Sequence, residues 1–120
     1  MIKLKVIDIT NLIAHPIFNE KLNAKGAFLL SKLGKELDSQ FKTFMETRDK
    51  LFESLNVTIG ENKQLIVPTE HQEEFTRQFN ELLNTEIELN VNKLPLSLLD
   101  KVQLSAIDII SMESIIDEEA

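Results

Sequence analysis

The stretch NAKGAFLLSKLGKELDSQFKTFMETRDKLFESL, Asn23–Leu55, sets the architecture of the chain. It holds no proline, and Leu29/Leu30, Leu33, Leu37, Phe41, Phe44/Met45, Leu51 and Leu55 recur mostly at steps of three or four. That spacing lines one face of an α-helix. Asn23 carries the side-chain oxygen that an N-cap needs. At ~1.5 Å per residue the helix is a rod of roughly 50 Å. A compact chain of this length has a radius of gyration of about 13–14 Å. The rod must therefore outrun a compact body or be covered by different segments along its length. Gly26 and Gly34 lie inside it and cost about 1 kcal/mol each relative to Ala. Close approach of another backbone would explain them.

Upstream, Ile2–Val6 alternates apolar and charged residues, which reads as a half-buried strand with Lys3 and Lys5 outward. The alternation slips by one residue after Val6, which fits a bulge or the end of the strand near Ile7. Asp8 or Thr10 can cap the next element. Asn11–Phe18 reads as short helical turns interrupted at His15, with Pro16 opening the second.

Downstream, Gly60–Lys63 is turn-like between two short apolar runs, Val57–Ile59 and Leu65–Val67, which suggests a small β-hairpin. Thr69 with Gln72 makes a capping box for a helix that carries Phe75, Phe79 and Leu82/Leu83 and ends near Asn84. This helix is half the length of the first. Folded back antiparallel, it covers only Phe41–Leu55, and the N-terminal turns and C-terminal tail are left to cover the rest. Thr85–Val91 alternates again, and its outward Glu86 and Glu88 complement Lys3 and Lys5 on a paired strand. Val102–Leu104 reads as a third short strand. Ser105 and Asp108 form a second capping box, before a helix over 106–110. Met112, Ile115 and Ile116 are expected to be buried, with Asp117–Glu119 a solvated end. One domain over 1–120 is expected, α+β and mainly helical: a long helix with a shorter antiparallel helix, a helical hairpin, plus a small β-sheet.

The chain has 120 residues, 42% of them hydrophobic, which suffices for a core. It lacks Trp, Tyr and Cys, so there is no disulfide and no thiolate chemistry. No apolar run nears the ~20 residues of a membrane span. The opening MIKLKVIDIT is too polar for a signal peptide, so the cytoplasm is expected. Residues 1–60 carry nine Lys/Arg and seven Asp/Glu, whereas residues 61–120 carry four and thirteen. The two halves can pair their charges, or the second can present an acidic surface to a basic partner or mimic a nucleic acid. Nucleic-acid binding by clustered Lys and Arg is not expected.

No phosphate-binding glycine loop, metal-spaced His pair or G-x-S-x-G motif is present. No cofactor, metal site or enzyme activity is expected. His15 before Pro16 reads as a turn residue, and His71, four residues before Phe75, has no identifiable catalytic partner. Glu70, Glu73 and Glu74 sit where a helix dipole favours them. Arg48 continues the Phe44–Leu51 stripe, with its stem buried and its head paired, a glutamate of the second helix being the candidate. Arg77 faces away from Phe75 and Phe79. Structural pairing is the first reading of both arginines, and an anion or protein contact is the alternative.

The order of these segments resembles a family of small uncharacterised phage and prophage proteins. The likeness rests on Lys3–Val6, Asn23–Leu37, Val67–Phe75, Glu86–Leu89 and Leu104–Asp108. Ala106 stands where a proline is common in that family, and Asn23 where the long helix often opens with proline. The resemblance implies a phage origin and transfers no catalytic residue. The expected function is non-enzymatic: protein–protein interaction in virion assembly or as an accessory factor, in the host cytoplasm or the virion. The alternative is a counter-defence protein that inhibits a host factor or sequesters a small anionic signal. Ala27, Phe28, Leu29, Leu30, Leu33 and Leu37 spread apolar surface around the first half of the rod. The covering segments are not expected to bury Phe28 together with Leu29 and Leu30. A homo-oligomer is therefore expected through Phe28 and Leu29.

Overall fold

A computed structural model describes residues 2–99 and 102–117. The chain opens with β1 (Ile2–Lys5) and passes directly into α1 (Val6–Leu12). A 3-10 turn at Pro16–Asn19 leads to α2 (Ala24–Ser54). Then come β2 (Thr58–Ile59), β3 (Leu65–Ile66), a 3-10 turn (Thr69–His71) and α3 (Gln72–Leu83). The last part holds β4 (Glu86–Leu89), β5 (Leu94–Pro95), a 3-10 turn (Leu96–Leu99), α4 (Ala106–Met112), a 3-10 turn (Glu113–Ile115) and β6 (Ile116–Asp117). The fold is α+β and mainly helical, with one long helix and small two-stranded sheets. No helix among the described residues is long and apolar enough to cross a membrane.

The slip in alternation after Val6 is not a bulge but marks the end of the strand, which comes at Lys5 rather than near Ile7. It is a change of period. Ile2 and Leu4 are buried two apart, and Val6, Ile9 and Leu12 are buried three apart, so strand becomes helix without a loop. The backbone N–H of Lys5 donates to Asp8 Oδ2 at 3.0 Å, so Asp8 caps α1 from inside its first turn. Pro16 opens the next turn as expected. Asn23 Oδ1 accepts the Gly26 N–H at 2.8 Å, which starts α2 at its expected position.

The capping box at Thr69 does not form. The chain first takes a 3-10 turn over Thr69–His71 with Pro68 at its cap and no side-chain cap bond, and α3 begins three residues later. Ser105 does cap α4: its Oγ accepts the Asp108 N–H, and Asp108 Oδ2 accepts the Ser105 N–H, both at 3.1 Å.

β1 and β4 pair antiparallel, with Lys3 opposite Glu88 and Lys5 opposite Glu86. The charge complementarity thus falls on directly paired residues, and Ile2 and Leu89 meet in the core at 0% exposure each. Val102–Leu104 is not a strand. The tail instead contributes β6, which lies parallel beside β5 with Leu94 opposite Ile116. Val102 and Leu104 pack on the core as half-buried loop residues. Asp117 is exposed, and Glu118 and Glu119 lie outside the described residues.

Two cores hang on α2. The larger takes Leu30, Leu33 and Leu37 and adds β1, α1, Ile17, Leu89, Leu94, Leu99, Met112, Ile115 and Ile116. The smaller has Phe52, Leu55 and Val57 buried, with Leu51, Val67, Phe75 and Phe79 against them. The N-terminal turns and the tail do cover the first half of the rod. The Cα radius of gyration is 17.1 Å and the extents are 52 × 29 × 22 Å, longer than the ~14 Å of a compact chain. The glycines of α2 face side chains rather than a crossing backbone: a Cβ on Gly34 would meet the Phe18 ring at 3.4 Å, and one on Gly26 would meet Leu22 Cβ at 3.1 Å.

Candidate functional site

At the far end of α2, five phenylalanines form a chain of rings. Phe41 touches Phe44, Phe44 touches Phe79, Phe52 touches both Phe75 and Phe79, and the last two stack at 5.3 Å. Ring contacts of this kind add stability beyond area burial. Yet α3 has no buried residue, and Phe75, Phe79, Leu82 and Leu83 are all half-exposed.

His71 joins the end of α2 to the start of α3, its Nδ1 lying 2.7 Å from the Leu55 carbonyl oxygen. A ring nitrogen that close to a carbonyl is the donor. Asn56 then takes φ 55°, a left-handed turn that stops α2. Beyond it β2 and β3 pair antiparallel, with Lys63 at φ 59° in the connecting turn. This arm has only two residues per strand, and Ile59, Leu65 and Ile66 are 58%, 44% and 55% exposed. Ile59 is paired with Leu65 and Ile66 with Thr58, so apolar side chains lie on both faces of the arm. The continuous run Leu65-Ile66-Val67 carried that signal, because a strand with one wet face should alternate.

Arg48 keeps its stem low but not with the expected partner. Its guanidinium lies 5.1 Å over the Phe52 ring and pairs with the adjacent Asp49 at 3.0 Å. The ring takes the planar cation, and no glutamate of α3 is needed. Arg77 is paired within α3, at 2.5 Å from Glu74 and 3.3 Å from Glu81. Its hydrogen bond, followed by that from Gln78, holds the Glu74 carboxyl below its ordinary range. Glu74 in turn holds the Arg77 guanidinium above its own. Each arginine is thus paired within its own helix.

Phe28 and Leu29 lie at the other end of the rod. Phe28 is 64% exposed with the Lys32 ammonium 5.6 Å from its ring centre. Leu29 is half-buried against the larger core, and Leu30 is buried in it. About 30 Å of α2 separates this pair from Arg48, so the four singled-out residues do not form one site. Leu29 and Lys32 instead border a cleft of about 410 Å³ whose other wall is Asn90–Pro95. Nothing in the sequence pattern marked Asn90, Asn92 or Lys93.

His15 is buried at 7% exposure, its Nδ1 accepts the Ile17 N–H at 3.1 Å, and its Nε2 faces Asp108 Oδ1 at 3.6 Å. Asp108 is held below the usual carboxylate range, first by the Ser105 backbone N–H, then by the Ser105 side chain, and lastly by the field of His15. Both histidines thus pin elements together. Among the described residues no group of His, Asp and Glu is placed to hold a metal ion. No family model, curated protein or solved structure matches the chain.

Proposed function

We propose that the protein is a non-enzymatic binding protein, of the virion-assembly or accessory kind to which its resemblance to phage proteins points, acting in the host cytoplasm or the virion. Its first partner is a second copy of itself, and the contact is the β2–β3 arm. One observation carries this reading: Ile59, Leu65 and Ile66 stand exposed on a two-stranded sheet with both edges open. An isolated two-stranded hairpin is marginal in water, and open edges are templates for another strand.

Charge selects the occupant. The chain carries −7 overall, whereas residues 56–68 carry one Glu and one Lys. Two copies, each of net charge −7, repel each other at long range, and the charge-balanced arm is where they meet without adding to that repulsion. The ring contacts, Phe52 with Phe75 and Phe44 with Phe79, support an antiparallel helical hairpin of α2 and α3 as the stalk that holds the arm out.

Sedimentation equilibrium tests the reading. The wild type is expected to self-associate at micromolar concentration, and Ile66→Lys to weaken association at least tenfold. A monomer at every concentration overturns it. Association lost in Phe28→Glu but kept in Ile66→Lys moves the contact to the first turn of α2.

A further inference from the structure

The cleft between α2 and Asn90–Pro95 has a chemistry of its own, independent of the arm. Its floor is apolar: Leu29, Val91, Leu94 and Pro95. Its rim carries Lys32, Lys93, Asn90 and Asn92, and among the described residues no carboxylate lines it. That makes it a locally positive hollow on a chain of net charge −7. At about 410 Å³ it falls within the range of small-molecule sites, which are mainly apolar with a few polar groups.

The polar groups are also uncommitted. Lys42 is paired with Asp38 at 3.1 Å. Among the described residues, by contrast, the side chains of Lys32, Lys93, Asn90 and Asn92 have no hydrogen bond or ion pair. Lys32, which borders the cleft, rests over the Phe28 ring, a contact that restrains its ammonium without neutralising it. This gives the exposed Phe28 a role that burial does not. The groove on the other side of Lys93 differs: Asp8 and Glu113 line it, and an anion there would meet like charge.

We propose that this cleft binds a small organic phosphate monoester. The doubly charged head is matched by the Lys32 and Lys93 ammoniums, and the Asn90 and Asn92 amides supply further N–H donors for its oxygens. The apolar body lies on Leu29, Val91, Leu94 and Pro95.

Phenyl phosphate and inorganic phosphate are the probes, each titrated into the full ¹⁵N-labelled chain at constant ionic strength. Saturable amide shifts confined to Leu29–Lys32 and Asn90–Leu94 are expected with phenyl phosphate, and at least threefold weaker binding with inorganic phosphate. Lys32→Gln combined with Lys93→Gln should lose at least tenfold in affinity, while Lys42→Gln loses none. Both rim lysines are exposed, and an unchanged remainder of the spectrum confirms that the double variant folds. Non-saturable shifts spread over Lys21, Lys25 and Lys42, or a double variant that binds as well as wild type, overturn the site. Equal affinity for the two probes overturns the apolar floor as part of it. None of these outcomes depends on whether the arm self-associates.

Discussion

His71 Nδ1 and the Leu55 carbonyl oxygen lie 2.7 Å apart, across sixteen residues of chain. That bond ties the residue that caps the long helix to the 3-10 turn that precedes α3, around a small core in which Phe52, Leu55 and Val57 are buried. His71→Ala removes the donor and is expected to lower stability by about 1 kcal/mol. Urea denaturation followed by circular dichroism checks it. An unchanged midpoint would show that the small core holds the two helices together without the histidine.

The β1–β4 register places Lys3 opposite Glu88 and Lys5 opposite Glu86. Glu86→Lys with Glu88→Lys creates two like-charge pairs on adjacent strands. Opposed pairs of this kind are worth roughly 0.2–1 kcal/mol each. Lys3→Glu with Lys5→Glu in the same chain is expected to restore part of the loss. A double-mutant cycle with a coupling energy of zero would contradict the pairing.

Gly34 and Gly26 should respond oppositely to alanine. A Cβ at Gly34 would sit at ordinary contact, 3.4 Å from the Phe18 ring. Gly34→Ala is therefore expected to stabilise by roughly 0.5–1 kcal/mol through helix propensity. A Cβ at Gly26 would press on Leu22 Cβ at 3.1 Å and on the capping Asn23 Oδ1 at 3.2 Å. Gly26→Ala should be neutral or destabilising, because the cap must shift. Thermal denaturation of the two variants compares them directly.

Asp108 gives a pH dependence of known sign. Its folded-state pKa lies below the ordinary value of 3.8 because Ser105 donates to it. A carboxylate so depressed contributes stability that is fully present above its unfolded pKa and is lost as pH falls through the folded one. Asp108→Asn keeps an acceptor for the Ser105 N–H and cannot titrate. Wild type should therefore lose stability relative to Asp108→Asn as pH is lowered from about 5 to 2. Parallel stability curves over that range would contradict the role assigned to the cap.

The long helix was legible because its stripe and its Asn23 cap are local signals. The Lys3/Lys5 and Glu86/Glu88 complement was legible because alternation fixes which residues face out. Three features were not. The passage from β1 to α1 needs the three-residue spacing of Val6, Ile9 and Leu12 to be weighed against a two-residue alternation that Ile7 and Ile9 prolong by chance. Thr69 and Gln72 have the residues of a capping box, but the chain winds a 3-10 turn there first. The β5–β6 pair joins residues 94–95 to 116–117, and so few residues carry no periodicity to read. The candidate sites divide the same way. Phe28 stood out as an apolar residue on a crowded face, whereas Asn90, Asn92 and Lys93 acquire meaning only when the fold sets them beside Lys32.

Amide hydrogen exchange at two protein concentrations is the sharpest test of self-association through the arm, because it locates the contact as well as detecting it. The arm contributes internal bonds such as Gly60 N–H to the Gln64 carbonyl at 2.8 Å, on a hairpin open to solvent on both sides. In a monomer such amides exchange fast at any concentration. Protection over Thr58–Val67 is expected to rise from low to high micromolar protein, and Ile66→Lys to abolish the rise. Exchange in the arm that is equally fast at both concentrations would contradict a contact there.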